Sequence, residues 1–129
     1  MRLRSWLHQR LAQDESGFTL IELLVVLVII GILLAIAVPS YLGFKDRANK
    51  AAAKANVRAG LPAVEAFYSD NGTYVGATVT KLKASYDAGI ALTTIMSASA
   101  TGYCAQAVSG NWTAHRTGPG GAITLTGAC

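Results

Sequence analysis

Residues that could carry catalysis are scarce in this chain. Of its 129 residues, only two are histidine and seven are acidic. The sequence contains neither the Gly-x-Ser-x-Gly motif of hydrolases nor the His-Glu-x-x-His motif of zinc proteases. His115 is the one imidazole beyond residue 17, and next to Arg116 it is interpreted most simply as a solvated strand residue. We therefore predict that the chain is not an enzyme and uses no cofactor or metal.

Cysteine is equally rare, since Cys104 and Cys129 are the only two. Two ligands are too few for a structural zinc site, which needs about four. In a small domain behind an export-type segment, a cysteine pair predicts an oxidising compartment and one disulfide. The two positions are 25 residues apart, and closing a loop of that size contributes ~3 kcal/mol in the chain-entropy model. Two buried free thiols are the alternative.

The chain has an excess of positive charge, with a formal net charge of +4. The excess is concentrated in residues 45–58, where the charged residues are Lys45, Asp46, Arg47, Lys50, Lys54 and Arg58. A basic helical face attracts nucleic acid, anionic lipid headgroups or acidic patches on other subunits. A merely solvated helix face is the alternative.

One long apolar run dominates the sequence. Residues 18–38 comprise 21 residues, of which only Thr19 and Glu22 are polar. At about 1.5 Å per residue, a helix of this length covers the ~30 Å of a bilayer core. The run therefore predicts a transmembrane helix.

Glu22 is unusual within this run, because a carboxylate inside a transmembrane helix costs on the order of 2.5 to 3.5 kcal/mol on insertion scales. An acid in such a place predicts a functional role and a cationic partner. The alternative is local, since Thr19-x-x-Glu22 fits a capping box at a helix N-terminus.

The junction between Gly17 and Phe18, followed by Glu22 in the run GFTLIELLVVLVIIGILLAIAVPSY, resembles the type IV pilin and pseudopilin family. Precursors in that family have a short basic leader that ends in Gly, then Phe, then an apolar helix with Glu as its fifth residue. The resemblance is unbroken over residues 17–41. The later segment FYSDNGTY, residues 67–74, is similar to the one that closes the long helix in many members, which often have Pro where this chain has Val75.

The resemblance implies a structural subunit of a type IV pilus-like filament, for which adhesion, motility, DNA uptake and secretion are all open as tasks. A prepilin peptidase would cut after Gly17 and methylate the new amine of Phe18, and Glu22 would pair with the Phe18 amine of a neighbouring subunit. The implied partners are identical or related subunits, the peptidase, the inner-membrane assembly machinery and, before assembly, membrane lipid. The chain would begin as a single-pass inner-membrane precursor and end in an extracellular pilus.

Other interpretations remain open. Within the family, the chain could be a minor pilin or a pseudopilin in DNA uptake or type II secretion; outside it, a membrane-anchored binding module that never polymerises. Ala35-x-Ala37 has the form of a secretory cleavage site, although the apolar run before it exceeds the usual length. The positive-inside rule favours a cytoplasmic domain, because more basic residues follow the span than precede it, whereas the resemblance and the cysteine pair favour the outside.

We expect an α+β fold in which a long N-terminal helix, apolar in its first half and amphipathic in its second, packs on a small antiparallel β-meander. The expected segments are a leader at 1–17, a transmembrane or filament-core helix at 18–39, and a half-helix with its globular head at 40–129. The expected apolar stripe is Val57, Leu61, Val64 and Tyr68. Two helices meeting at Pro39 are the alternative. A short helix is expected near residues 81–86, with strands at 90–97, 103–108, 112–116 and 122–126.

Two further sets of residues are candidates for surface chemistry. Four are candidates for contact with DNA through phosphates or base stacking: Lys81, Lys83, Trp112 and Arg116. Two tripeptides, Asn71-Gly72-Thr73 and Asn111-Trp112-Thr113, match the acceptor sequence for N-glycosylation, and their Asn and Gly residues are also typical of turns.

Overall fold

The computed structural model describes residues 17–129, so the predicted leader lies, except for Gly17, outside the described residues. Helix α1 spans Leu20–Asn71 and helix α2 spans Val79–Ser85. Three strands follow, β1 at Thr94–Met96, β2 at Tyr103–Ser109 and β3 at Trp112–Gly118. A long helix followed by an antiparallel sheet confirms the predicted α+β class.

Local signals at both ends define α1. Thr19 and Glu22 cap its first turn, and at the other end the Asn71 side-chain amide donates to the carbonyl of Phe67 at 2.8 Å. Gly72 follows with φ of +67°, the left-handed conformation that glycine adopts most easily after a helix. The 52 residues of α1 include Pro39, so the alternative of two helices meeting there is wrong.

Close contacts divide the chain between Tyr41 and Leu42 into two units, which are considered separately. The domain limits expected at residues 17 and 39 remain predictions. In the first unit, the large apolar side chains of α1 are exposed, from 47% at Val25 to 88% at Leu20, and Phe18, just before the helix, is 91% exposed. Among residues 17–129, α1 is the one helix long and apolar enough to cross a membrane, judged by length and composition.

The second unit contains the sheet, whose strand order is β1-β2-β3 with antiparallel pairing throughout. Strands β2 and β3 form a hairpin closed by Gly110 and Asn111, and Ser109 pairs with Trp112. Gly110 has φ of +56°, which fits the first central position of a type II′ turn, where glycine is preferred.

Two of the predicted strands differ from expectation, one being shorter and the other replaced by a single bridge. The strand expected at 90–97 is reduced to β1, because Ile90 and Leu92 turn their side chains into the core before pairing with β2 begins. The strand expected at 122–126 is absent, and only Thr124 forms an isolated bridge, to His115. The expected helix near 81–86 corresponds to α2, which Thr78 caps by accepting a hydrogen bond from the Lys81 amide.

The core of the head lies between one face of α1 and the sheet. On α1, Val57 and Val64 are fully buried and Leu61 nearly so, as the predicted stripe requires. The prediction was wrong for Tyr68, which is 37% exposed, while its neighbour Phe67 is buried. Position 67 is three residues beyond Val64 and lies on the same face of the helix, whereas position 68 is about 100° further round and lies at the edge of that face. From the rest of the head, the fully buried side chains include Leu82, Tyr103, Ala105, Ala107 and Ala114.

Gly118 provides the space that the ring of Tyr103 occupies. The two residues are register partners on β3 and β2. A Cβ atom at Gly118 would lie 2.2 Å from Cζ of Tyr103, far inside van der Waals contact. Tyr103 is among the largest fully buried side chains, so it has little room to move.

We expect Gly118→Ala to lower the free energy of unfolding by about 1 to 3 kcal/mol, because the added methyl group overpacks the core at Tyr103. Gly43→Ala is the matched control, since nothing lies within 4 Å of its Cβ position and the residue is in a helix. Urea unfolding of the detergent-solubilised chain measures both variants. Equal stability of the two variants would contradict the packing argument.

Candidate functional site

The predicted processing residues Gly17 and Phe18 lie just before α1, and the predicted assembly residue Glu22 lies in its first turn. The backbone N–H of Thr19 donates to Oε2 of Glu22 at 2.8 Å, and the N–H of Glu22 donates to Oγ1 of Thr19 at 3.3 Å. This reciprocal pair is a capping box, which satisfies two backbone donors that a helix N-terminus otherwise leaves free. The alternative role predicted for Glu22, capping the N-terminus of the helix, is therefore present in the structure.

The capping box leaves part of the Glu22 carboxylate available. Within residues 17–129, Oε1 of Glu22 accepts no hydrogen bond, and the side chain is exposed. Phe18 precedes it with 91% of its surface exposed. A carboxylate has about four lone-pair positions, so a second donor can bind without displacing Thr19. The geometry thus accommodates capping and a cationic partner together.

In the head, Cys104 and Cys129 form the predicted disulfide, with Cα atoms 5.7 Å apart. Cys104 lies on β2 between Tyr103 and Ala105, which face the core, so the disulfide is on the opposite face of the sheet. The Cys129 N–H also donates to Oε1 of Gln106 at 3.0 Å. These contacts fasten the segment after β3 to the outer face of β2.

A cluster around Glu65 was not foreseen from the sequence. Its two carboxylate oxygens accept separate hydrogen bonds, from the hydroxyl of Tyr74 at 2.9 Å and from that of Tyr103 at 3.0 Å. The rings of Tyr74 and Tyr103 are 4.7 Å apart, and Tyr68 stacks on Tyr74 at 4.5 Å. Burial and the bond to Glu65 raise the pKa of Tyr74 to about 12 and also raise the pKa of Tyr103. The cluster joins α1, the loop after it and β2.

The four candidates for DNA contact lie on two elements. Lys81 and Lys83 are exposed on α2, whereas Trp112 and Arg116 are half-buried on β3. The Nε of Arg116 is buried and has no hydrogen-bond partner within residues 17–129. Exposed phosphate contacts are therefore more readily made by the two lysines, and contact with DNA stays a prediction.

Trp112 is engaged with α1. Its indole N–H donates to Oδ1 of Asp46, while Nζ of Lys50 lies 4.1 Å from the ring centroid. Lys50 also pairs with Asp46 at 2.9 Å. These contacts lower the pKa of Asp46, chiefly through the bonds from Lys50 and Trp112. One face of the indole is thus covered by an ammonium group, which leaves less of the ring for base stacking.

Comparison with known proteins points to a single family. Residues 13–38 match the family described as "Prokaryotic N-terminal methylation motif". The type IV wide pilus major component PilA4 of Thermus thermophilus is 35% identical over 94 residues, which cover 71% of this chain and 72% of that protein. No solved structure matches the chain significantly.

Two other relatives match about half of this chain. The type IV major pilin protein PilA of Myxococcus xanthus is 47% identical over 60 residues, covering 46% of this chain and 27% of PilA. The type II secretion system core protein G of Pseudomonas aeruginosa is 42% identical over 62 residues, covering 48% of this chain and 44% of that protein. The match thus spans less than half the length of these two relatives.

We expect the double variant Cys104→Ser/Cys129→Ser to lose ~3 kcal/mol of unfolding free energy, because the unfolded chain regains the loop entropy that the disulfide removes. Urea unfolding measures the loss, and wild-type protein unfolded under reducing conditions is the control. Thiol labelling of the native, unreduced chain should modify neither cysteine; modification of both would rule out the disulfide.

Alkaline pH should destabilise the head through the Glu65 cluster. An unfolded tyrosine loses its proton near pH 10, whereas Tyr74 in the folded head does so at about pH 12. The stabilisation is therefore complete below pH 10 and is lost as the pH rises through the folded values. Urea midpoints measured from pH 9 to 12 should fall more steeply for wild type than for Tyr74→Phe/Tyr103→Phe. Parallel curves would contradict this assignment.

Proposed function

Because this chain belongs to the type IV pilin and pseudopilin family, we propose that it is a structural subunit of a type IV pilus-like filament. The observation that carries the proposal is the first half of α1, whose apolar side chains are exposed along their whole length. Such a surface is unstable in water and is stabilised in a bilayer or among copies of itself. The same helix would serve first as an anchor and then as the filament core.

In this proposal, a prepilin peptidase cuts after Gly17 and methylates the new amine of Phe18. The match to the N-terminal methylation motif over residues 13–38 supports this step. The chain is then a membrane-anchored precursor whose assembly partners are identical or related subunits and the assembly machinery of the membrane. No catalytic role is assigned to the chain itself.

Glu22 directs the entry of each new subunit. Its Oε1 atom is free within residues 17–129, and we assign to it the Phe18 amine of a neighbouring subunit. The Glu22 carboxylate and the Phe18 ammonium both lose water when the helices pack, and each then stabilises the charge of the other. Leaving one member of a buried pair alone costs about 3 to 5 kcal/mol. A subunit that enters out of register would bear that cost, and the pair therefore selects the correct register.

A pilin is favoured over a secretion pseudopilin by the extent of the matches. The alignment with the wide-pilus component spans 94 residues, and that with the type II secretion protein spans 62. The longer alignment covers 71% of this chain and 72% of the pilin, whereas the shorter one covers 48% of this chain and 44% of the secretion protein. Roles as a minor pilin, in DNA uptake or as a non-polymerising module remain the competing proposals.

Two substitutions at one position separate the roles of Glu22. Glu22→Gln keeps the capping box, because glutamine also reaches back to the N-cap N–H, but it removes the charge. Glu22→Ala removes both. We expect both variants to insert into the membrane at wild-type levels and to reduce sheared surface filaments at least tenfold, measured by immunoblot of membrane and filament fractions.

Other outcomes are equally informative. Filaments from Glu22→Gln but not from Glu22→Ala would limit Glu22 to capping the helix. Wild-type filament levels from both variants would refute the pairing role, and a chain that forms no filament as wild type would refute the proposed function.

A further inference from the structure

We propose that Asn111 is a site of N-linked glycosylation, modified by a lipid-diphosphate-linked oligosaccharide. The inference rests on the proposed function, which brings the head outside the cytoplasmic membrane, where an exported acceptor would meet such a donor. The chain has two tripeptides of the acceptor form, Asn71-Gly72-Thr73 and Asn111-Trp112-Thr113. Both asparagines are exposed and both threonines are half-buried, but only in the first tripeptide do the asparagine and threonine side chains form hydrogen bonds within residues 17–129, and that difference carries the proposal.

Asn111 lies at the tip of the β2–β3 hairpin, as the second residue of its two-residue turn. It is exposed, and within residues 17–129 its side-chain amide makes no hydrogen bond. The two residues that flank the turn are bonded to α1: the Ser109 hydroxyl contacts the side chain of Asn49 at 3.4 Å, and Trp112 donates to Asp46. The hairpin tip is thus fixed in place while the Asn111 amide is left free.

Thr113 supplies the hydroxyl that the acceptor sequence requires. Side chains alternate along a strand, and Trp112 points to α1, where it donates to Asp46. Thr113 therefore faces away from α1, on the same side as its register partner Val108, which is 43% exposed. Within the described residues the Thr113 hydroxyl makes no hydrogen bond. The asparagine is thus exposed, and the half-buried threonine has a hydroxyl that is not engaged in a competing hydrogen bond within residues 17–129.

In the first tripeptide, the side chains of both Asn71 and Thr73 form hydrogen bonds with nearby backbone groups. The Asn71 amide donates to the Phe67 carbonyl at 2.8 Å and helps to end α1. The hydroxyl of Thr73 accepts from the Val75 N–H at 3.1 Å and contacts the Ser99 carbonyl at 3.5 Å. Modification of Asn71 would require these bonds to break. This site is therefore an internal control within the same chain.

The transfer is a substitution at the sugar. A bond forms between Nδ2 of Asn111 and the anomeric carbon of the oligosaccharide, and the bond from that carbon to the diphosphate oxygen breaks. The lipid diphosphate leaves with the electron pair of the broken bond, and the proton lost by the amide passes to a base of the transferring enzyme and then to water. No oxidant or reductant takes part.

Mass spectrometry of the chain recovered from its native host tests the proposal. We expect the peptide that contains Asn111 to carry a glycan mass, and the peptide that contains Asn71 to be unmodified. Thr113→Ser keeps the hydroxyl and should keep the glycan, whereas Thr113→Val keeps the β-branched shape and should lose it. Asn111→Gln should lose it as well, and Asn71→Gln should have no effect.

The same spectra separate this inference from the proposed function. A chain that starts at a methylated Phe18 but has an unmodified Asn111 overturns the glycosylation site and leaves the filament proposal intact. A chain that starts at Met1 or Val38 overturns the proposed function. A glycan on Asn71, or one that survives Thr113→Val, overturns the argument that side-chain hydrogen bonds decide which tripeptide is modified.

Discussion

The head depends on the packing of one face of α1 against β2 and β3. The sheet has only three strands, and a sheet of that size needs a covering layer to bury its apolar face. Val57 and Val64 provide that layer from the helix, and Ala105 and Ala114 meet it from the strands. The facing strand residues are small, so the helix can approach closely without large cavities. Glu65 then joins the two layers through the hydroxyls of Tyr74 and Tyr103.

Much of the fold follows from short-range sequence signals. The limits of α1 are determined by Thr19 and Glu22 at one end and Asn71 and Gly72 at the other, all within a few residues of the helix terminus. The β2–β3 hairpin also follows from a local signal, because Gly110 lies between two runs of residues that favour β-strands. The disulfide could be predicted because only two cysteines exist, so only one pairing is possible.

What the sequence did not reveal depends on contacts between distant residues. Glu65 and Tyr103 are 38 residues apart, and nothing in their neighbours marks them as partners. The choice of Phe67 over Tyr68 for the core depends on where the sheet lies around the helix, which a periodicity of 3.6 does not define to within one residue. The strand expected at 122–126 gives way to a single bridge at Thr124, although its composition is typical of a strand.

The contact between the hairpin tip and α1 has a spectroscopic consequence. Only two tryptophans occur in the chain, and Trp112 is the one beyond the segment proposed to be removed. Its indole N–H donates to the carboxylate of Asp46, and the ammonium of Lys50 lies over its ring. The tryptophan emission of the processed subunit therefore comes from a single indole in a charged, half-buried position. If the hairpin separated from α1, the emission wavelength and intensity of Trp112 would change, so the separation could be measured without an attached label.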